Sequence, residues 1–249
     1  MSTPIVIVTG ASRGIGAATA LLAAERGCDI CINYRDARAS AEQVVAQIVA
    51  AGRRAIAVRA DVAHEPDVVR LFETCDAELG RLTALVNNAG IVDLQTRVDR
   101  VTTARLQRIF ATNVFGAFLC AREAVLRMST THGGLGGAIV NLSSAAARLG
   151  GPGEYVDYAA SKGAIDTMTV GLAREVADEG IRVNAVRPGI VDTEIHASGG
   201  EAGRVERVRG SVPMKRGGTA DEIAHAIVWL LSNDASYVTG AILDVAGGR

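Results

Sequence analysis

Tyr158 and Lys162 are the residues best suited by type and spacing to proton transfer, because they stand four positions apart in GEYVDYAASKGAID (153–166). If this segment is helical, positions i and i+4 lie on one face, so the phenol and the ammonium group are neighbours. Tyr155 lies about two helical turns from the lysine and does not share it. A nearby cation lowers a phenol's pKa, which would suit Tyr158 to giving or taking a proton near neutral pH.

A second chemical feature is the glycine-rich turn in IVIVTGASRGIG (5–16). Gly10, Gly14 and Gly16 leave room for the backbone to approach a pyrophosphate, and the helix that follows would add free N–H groups and partial positive charge. The spacing is G-x-x-x-G-x-G, which departs from the standard G-x-G-x-x-G fingerprint. At the end of the first strand of an α/β chain, this turn predicts nucleotide binding.

The end of the second predicted strand, CINYRDAR (31–38), bears on the choice of nucleotide. Tyr34 stands where NAD-binding proteins of this type carry an acidic residue for the ribose 2′-hydroxyl. Arg13 and Arg35 could converge on a ribose 2′-phosphate, since arginine presents a fork of donors to phosphate oxygens. The alternative is that Arg13 and Arg35 are solvated surface charges, with the adjacent Asp36 as an ion-pair partner for either. We therefore predict NADP(H) as the preferred cofactor, with NAD(H) possible.

The elements that must position these groups alternate between short apolar runs and longer helical patterns. The predicted strands are Ile5–Val8, Asp29–Asn33, Ala55–Arg59, Ala84–Asn87, Ala138–Leu142, Arg182–Val186 and Ile242–Val245. The predicted helices are Gly14–Glu25, Ala39–Ala51, Pro66–Leu79, Thr103–Met128, Tyr155–Asp178 and Asp221–Leu231. Strands that are apolar without alternation are typical of parallel sheets covered on both faces. The pattern predicts one α/β domain over residues 1–249, a doubly wound parallel sheet of about seven strands with helices on both faces.

Composition argues against several classes of partner. The 26 basic and 27 acidic side chains give a net charge of -1, so no basic excess suggests nucleic acid or an anionic membrane surface. The N-terminal sequence lacks the basic region and apolar length of a signal peptide, and no apolar run is expected to span a bilayer. Cys28 and Cys31 would face opposite sides of one strand, so no metal site is predicted. We expect a cytoplasmic protein with a small-molecule substrate.

Six motifs together resemble the classical short-chain dehydrogenase/reductase (SDR) family over essentially the whole chain. They are TGASRGIG (9–16), NNAG (87–90), Asn113 within ATNVFGAF, SS (143–144), YAASK (158–162) and RPGIVDT (187–193). The resemblance implies a Rossmann-type fold and hydride transfer between a nicotinamide cofactor and a carbonyl or secondary alcohol. Within the family, the chain resembles bacterial members that are similar to glucose dehydrogenase or to 3-oxoacyl-acyl-carrier-protein reductase.

The resemblance also implies catalytic roles. Tyr158 would be the general acid/base, and Lys162 would lower its pKa and bind the nicotinamide ribose. Ser144 would hold the substrate oxygen, and Asn113 would support a water-mediated proton path to the lysine. The interval from Ser144 to Tyr158 is one position longer than is usual in the family, so Ser143 is an open alternative.

Cofactor contacts carried over from the family cover the glycine turn and the ends of several strands. They are Gly10, Ser12, Arg13, Gly14, Ile15, Gly16, Tyr34, Arg35, Asp61, Val62, Asn87, Ala89, Gly90, Tyr158, Lys162, Pro188, Gly189, Val191 and Thr193. Asp61 has an alternative role as a turn former after the third strand. Asn88 has an alternative role too, bonding neighbouring backbone.

A substrate lid is expected at about residues 194–212, where the family places a mobile segment and where Gly199, Gly200 and Gly203 would permit hinge motion. The predicted substrate-contacting residues are Ser144, Glu154, Tyr155 and His196. For the last three, packing or solvent exposure is the alternative to substrate contact.

Two substrate types are favoured by the resemblance, a polar sugar such as glucose and a 3-oxoacyl thioester. A non-catalytic dinucleotide-binding sensor is the alternative from another class, and the intact Tyr158, Lys162 and Asn113 count against it. Extended relatives that act as epimerases carry T-G-x-x-G-x-x-G and an added substrate domain, neither of which is present here. The family further implies a homotetramer, assembled through the long helices and the C-terminal strand.

Overall fold

Seven short apolar runs form parallel strands in the computed structural model, which describes residues 3–249. They are β1 (Ile5–Val8), β2 (Asp29–Tyr34), β3 (Ala55–Arg59), β4 (Ala84–Asn87), β5 (Gly137–Leu142), β6 (Ile181–Pro188) and β7 (Ile242–Val245). Their order in the sheet is β3-β2-β1-β4-β5-β6-β7, and every neighbouring pair is parallel. The predicted doubly wound α/β fold is confirmed.

Helices link the strands and cover both faces of the sheet. Within residues 3–249 the α-helices are α1 (Gly14–Glu25), α2 (Arg38–Ala50), α3 (Glu65–Glu78), α4 (Thr103–Phe110), α5 (Gly116–Met128), α6 (Ala146–Leu149), α7 (Val156–Glu175), α8 (Ile195–Ser198), α9 (Arg204–Val208) and α10 (Ala220–Leu231). Five of the six long predicted helices are present as single helices, and the sixth, Thr103–Met128, corresponds to α4 and α5 with a turn between them. The short helices α6, α8 and α9 had no periodic signal long enough to predict them.

The strand order reverses at β1, which pairs with β2 on one side and β4 on the other. Ile7, for example, lies opposite Cys31 of β2 and Leu85 of β4. In an open parallel sheet such a reversal leaves a crevice at the carboxyl ends of the strands, where ligands bind. The glycine turn that follows β1 opens onto this crevice.

Alternate side chains of the strands pack against different helix layers. Val6 and Val8 belong to a core shared with α1, α2 and α10, whereas Ile7 belongs to one shared with α3 and α5. Cys28 packs against the first core and Cys31 lies within the second, so the two thiols face opposite sides of the sheet. Among residues 3–249, no group of three or more His, Cys, Asp or Glu side chains is arranged to hold a metal ion.

The predicted helix Thr103–Met128 is interrupted by a π-helical turn at Ala111–Phe115, which contains Asn113. Contrary to our expectation for membrane spans, this stretch is long and apolar enough to cross a bilayer by length and composition alone. However, 56% of its most apolar window is buried inside the fold, as in the core helix of a soluble protein. Single π turns in helices occur frequently at functional sites.

Candidate active site

The glycine turn has the backbone geometry that its sequence predicted. Gly14 begins α1 at φ +57, in the left-handed region that residues with a side chain rarely adopt. A Cβ on Gly16 would lie 2.5 Å from Nδ2 of Asn88 and 2.7 Å from the carbonyl oxygen of Gly10, so only glycine fits. The same Asn88 amide donates to the carbonyl oxygens of Thr9 (2.8 Å) and Gly10 (3.0 Å) and thereby fixes the turn.

A crevice of about 500 Å³ runs from this turn along the ends of β2, β3 and β4. Twelve of the predicted cofactor residues line it: Gly10, Ser12, Arg13, Gly14, Ile15, Tyr34, Arg35, Asp61, Val62, Ala89, Gly90 and Thr193. Asn88, for which backbone bonding was the alternative, lines it as well. The length of the crevice, its glycine turn and the helix N-terminus beside it fit a dinucleotide.

Two predicted cofactor residues lie behind the crevice instead of lining it. Asn87 is buried, and its Nδ2 donates to the carbonyl oxygen of Ala117 and to Oδ1 of Asn141. Its side-chain amide therefore ties β4 to β5 and α5, and Asn87 is not among the residues that line the crevice. Gly16 acts through close packing against Asn88.

Charged groups cluster at the end of the crevice where β2 and β3 stop. Arg13 is exposed, and within residues 3–249 no acidic side chain pairs with it. Arg35 pairs with Asp36 at 2.7 Å, and that hydrogen bond raises the pKa of the guanidinium. Asp61 lines the crevice while its Oδ1 accepts a hydrogen bond from the backbone N–H of Ala63, so it forms the turn after β3 as well.

A second cavity, of about 400 Å³, continues from the crevice and is lined by three of the four predicted catalytic residues, Ser144, Tyr158 and Lys162. Tyr158 and Lys162 lie one turn apart on α7, with Nζ 5.7 Å from the centre of the phenol ring. Lys162 is buried and donates a 2.6 Å hydrogen bond to the carbonyl oxygen of Leu142. Pro188, Gly189 and Val191 form part of the same wall.

The pKa of Tyr158 differs from the sequence prediction. Burial by its neighbours raises the pKa of the phenol above its ordinary value, although a hydrogen bond with Ser144 lowers it. Burial also lowers the pKa of Lys162 to about 8, against the opposing negative charge of Asp166. The i, i+4 spacing alone ignored the cost of burying an anion, so the expectation of a lowered phenol pKa is wrong for this structure.

The two adjacent serines are in different environments. Ser143 is buried, and its hydroxyl donates to the backbone carbonyl of Lys162 at 3.3 Å. Ser144 lines the cavity beside Tyr158, and its Oγ accepts a hydrogen bond from the backbone N–H of Ala146. Both serines line the cavity, and the hydrogen bond that lowers the phenol pKa comes from Ser144.

Asn113 faces the same small space as Lys162. A Cβ on Gly90 would lie 3.5 Å from both Oδ1 of Asn113 and Nζ of Lys162. The asparagine side chain accepts from the backbone N–H of Ile91 and donates to its carbonyl oxygen and to Oγ of Ser161. Ser161, which the sequence did not single out, donates in turn to the carbonyl oxygen of Tyr158 and so connects the π turn to α7.

Comparison with known proteins agrees with this geometry. A family model described as enoyl-(acyl carrier protein) reductase matches residues 10–249. An uncharacterised oxidoreductase of Escherichia coli (strain K12), YgfF, is 58% identical over 98% of this chain and 99% of its own length. The chain belongs to the short-chain dehydrogenase/reductase family.

Other members of this family differ in their named substrates. Glucose 1-dehydrogenase 2 of Bacillus subtilis (strain 168) is 36% identical over 97% of this chain and 93% of its own length. The 3-oxoacyl-[acyl-carrier-protein] reductase of Synechocystis (strain ATCC 27184 / PCC 6803 / Kazusa) is also 36% identical, over 100% of this chain and 97% of its own length. Equal identity to the two gives no preference between a sugar and an acyl thioester.

Solved structures of similar proteins hold nicotinamide dinucleotides. A short-chain dehydrogenase from Burkholderia cenocepacia J2315 in complex with NADP has a TM-score of 0.90 at 34% identity, over 98% of this chain and 97% of that one. A blue fluorescent protein from a metagenomic library, in complex with NADPH, has a TM-score of 0.89 at 36% identity over the same shares. This SDR protein is thus an oxidoreductase that uses a nicotinamide dinucleotide and acts on CH–OH groups.

The three predicted substrate residues outside the catalytic group line the cavity of this SDR protein but bond to other parts of the chain. Both carboxylate oxygens of Glu154 pair with arginines of the segment predicted to form a lid, Arg204 and Arg207. The hydroxyl of Tyr155 donates to the carbonyl oxygen of Gly199, and Nε2 of His196 lies 2.8 Å from the carbonyl oxygen of Val191. Contact with substrate therefore requires these groups to share or give up existing partners.

Two arginines that sequence reasoning missed support the site. Arg204 lines the cavity with its guanidinium 4.9 Å from the centre of the Tyr155 ring. Arg105 forms a buried ion pair with Asp157, whose Oδ1 also accepts the backbone N–H of Tyr158 at 2.9 Å. Each partner is about 50 residues distant in sequence, so no local pattern indicated either pair.

Proposed function

We propose that this SDR enzyme is an NADP(H)-dependent reductase or dehydrogenase that interconverts a carbonyl compound and a secondary alcohol, with Tyr158 as general acid/base. The observation that carries the proposal is the meeting of Tyr158, Ser144 and Lys162 where the dinucleotide crevice joins the second cavity. Their arrangement gives one place at which a substrate oxygen contacts both hydroxyls. A dinucleotide sensor would not require that convergence.

The bound nicotinamide supplies or accepts the hydride. In reduction, Ser144 and Tyr158 donate hydrogen bonds to the substrate carbonyl oxygen and stabilise the negative charge that develops there. Tyr158 then gives its proton to that oxygen, and the positive charge of Lys162 stabilises the phenolate that remains. Ser161 and Asn113 are hydrogen-bonded to each other at 3.0 Å, and this bond fixes the π turn against α7 next to Lys162.

The preference for NADP(H) is supported by the arginines at the adenosine end of the crevice. Arg13 is unpaired among the described residues, and Arg35 lines the same crevice, although Asp36 competes for its guanidinium. Tyr34 stands at the end of β2, where an acidic side chain would bind a ribose 2′-hydroxyl, and it carries no carboxylate. The NADP and NADPH complexes of similar proteins point in the same direction.

We expect the wild-type enzyme to bind NADPH more tightly than NADH. Arg13→Ala and Arg35→Ala should each raise the Kd for NADPH by about 10- to 100-fold, because a hydrogen bond to a charged group contributes about 1.5–3 kcal/mol. The Kd for NADH should change little, since it lacks the 2′-phosphate. Titration of cofactor fluorescence measures both constants. Arg38→Ala, which removes an exposed pair with Glu42 on α2, is the matched control.

Wild-type binding of NADH that equals or exceeds that of NADPH would contradict the cofactor proposal. Loss of affinity for both cofactors in the Arg13 or Arg35 variants would indicate damage to the crevice, not loss of phosphate recognition.

For the substrate, the cavity favours a carbonyl compound with an apolar body. Leu142, Leu149, Val92 and Ile190 contribute to its walls, and the polar groups expected to hold a sugar already have partners within the protein. This observation supports the proposal of a 3-oxoacyl thioester over glucose. A screen of purified enzyme against sugars, aldehydes, ketones and acyl thioesters, with both cofactors, tests the assignment, and highest kcat/KM for a sugar would reverse it.

We also propose a cytoplasmic homotetramer, as the family resemblance implies. Several large apolar side chains are exposed on the helices and near the C-terminal strand, which supports association: Phe115, Phe118, Leu126, Trp229 and Tyr237. Light scattering during gel filtration measures the mass of the assembly directly.

A further inference from the structure

We propose that Glu154 is the fixed half of a latch that holds the substrate lid closed against the catalytic helix. The latch consists of Glu154 on the loop before α7 and, on the lid, Glu201, Arg204 and Arg207. Its function is to position the lid over the substrate cavity and to set how readily the lid opens. It is a positioning device and makes no contact with reacting atoms.

The latch is a closed ring of ion pairs between two segments about 50 residues apart in the chain. Glu154 accepts from Arg204 (2.5 Å) through one carboxylate oxygen and from Arg207 (2.9 Å) through the other. Glu201 accepts from the same two arginines, at 3.3 Å from Arg204 and 2.8 Å from Arg207. Each carboxylate therefore binds both arginines, and each arginine binds both carboxylates.

Neighbouring contacts tie the latch to the site. The Arg204 guanidinium stacks on the ring of Tyr155, and the Tyr155 hydroxyl donates to the carbonyl oxygen of Gly199 in the lid. Tyr155 directly precedes α7, three positions before Tyr158. A movement of the lid would therefore displace Tyr155 and the start of α7, the helix that carries Tyr158, the proposed acid/base.

The loop after β4 also bonds to the lid. Nε2 of Gln95, on the loop after β4, donates to Glu201 at 2.5 Å. Leu94 lies against Gly200, where an added Cβ would come within 2.8 Å of its Cδ2 atom. The backbone N–H of Thr96 donates to the carbonyl oxygen of Glu154, which joins this loop to the fixed half of the latch. The closed lid thus contacts both the loop after β4 and the loop before α7.

Burial separates this cluster from ordinary surface ion pairs, which contribute little because water screens them. The side chains of Arg204, Glu201 and Glu154 are 13%, 23% and 25% exposed, whereas that of Arg207 is 49% exposed. Arg209 and Glu206, an ion pair on the outer side of the same lid, are 55% and 72% exposed. Burial opposes ionisation of Glu154, but hydrogen bonds from Arg204 and Arg207 lower its pKa, so it is charged at neutral pH.

The decisive variant is Glu154→Gln, which keeps the shape of the side chain and removes its charge. Amide hydrogen exchange, measured by mass spectrometry on the full chain without substrate, reports lid opening directly. We expect amides of residues 195–208 to exchange about tenfold faster or more than in the wild type, as charge-assisted bonds are lost. Glu206→Gln, which breaks the exposed outer pair, should leave the exchange unchanged.

Arg207→Gln provides an independent variant from the other side of the ring and should also accelerate exchange. Combined with Glu154→Gln it should add less than its separate effect, because the two residues act through one latch. Lid exchange in Glu154→Gln equal to that in Glu206→Gln would overturn the proposal.

With the best substrate from the screen, Glu154→Gln should raise KM by about tenfold while kcat falls by less than threefold, since the lid and not the chemistry is affected. This kinetic readout rests on the proposed function, whereas the exchange measurement does not. If Glu154→Gln exchanges faster but the wild-type protein shows no reductase activity, the latch proposal is supported and the proposed function is contradicted. An equal loss in kcat and kcat/KM, without faster exchange, would assign Glu154 to the reaction itself.

Discussion

Tyr158→Phe will lose nearly all turnover, with kcat reduced by about 10³-fold or more, while NADPH binding is retained. The phenol oxygen is the only part removed, and a positioned general acid/base contributes about 10²–10⁴-fold to the rate. Turnover is followed by NADPH absorbance, and cofactor binding by fluorescence titration.

Tyr155→Phe is the matched control for this variant. It removes a hydroxyl from the neighbouring buried tyrosine, whose oxygen bonds to Gly199 of the lid. We expect Tyr155→Phe to keep kcat within about tenfold of the wild type, because the Tyr155 hydroxyl bonds to Gly199 and not to the substrate oxygen that reacts. Near-normal turnover in Tyr158→Phe would eliminate the assigned mechanism, whatever the control does.

Ser144→Ala will reduce kcat by about 10²–10³-fold, the range measured when one donor to a developing oxyanion is removed. Ser144 lies beside Tyr158 in the cavity, so its loss removes a hydrogen bond that strengthens as the carbonyl oxygen gains charge. Side-by-side rate assays of Ser144→Ala and Ser143→Ala measure the difference.

Ser143→Ala should instead reduce stability slightly, by about 1 kcal/mol, since its hydroxyl donates to the backbone carbonyl of Lys162. Urea denaturation reports that change. If Ser143→Ala lost more activity than Ser144→Ala, the role of oxygen-binding serine would pass to Ser143.

The sheet was predictable from sequence because its strands are buried on both faces. Runs such as Ile5–Val8 and Ala84–Asn87 are apolar throughout, and the structure ends these strands at the predicted residues. The ends of β6 were less predictable, since Arg187 and Pro188 continue the strand beyond its apolar part. The π turn at Asn113 leaves the hydrophobic pattern of a continuous helix unchanged, so no periodicity revealed it.

The site was predictable where its geometry is local. Helical spacing placed Tyr158 and Lys162 on one face, which the structure bears out. The interval between Ser144 and Tyr158 could not choose between the two serines, because that choice depends on how the loop after β5 turns into the cavity. Glu154 was predicted to contact substrate, and its ion pairs could not be foreseen. Its partners Arg204 and Arg207 become neighbours only after folding.

Electrostatics was the least predictable property. Sequence spacing gives the sign of the interaction between Tyr158 and Lys162, but not the cost of burying either charge. In the folded chain burial moves both pKa values toward the neutral forms, upward for the phenol and downward for the amine. Tyr158 therefore stands protonated and ready to act as an acid, and the charge on Lys162 is the variable that pH controls.

The pH dependence of carbonyl reduction in the wild type and in Lys162→Met tests the proposed acid/base pair most directly. Because burial lowers the pKa of Lys162 to about 8, the amine is charged below that pH and neutral above it. We predict that wild-type kcat is level toward lower pH and falls as pH rises through about 8, and that Lys162→Met is slower and lacks this fall. A Lys162→Met variant with the wild-type rate and the same decline above pH 8 would contradict the account.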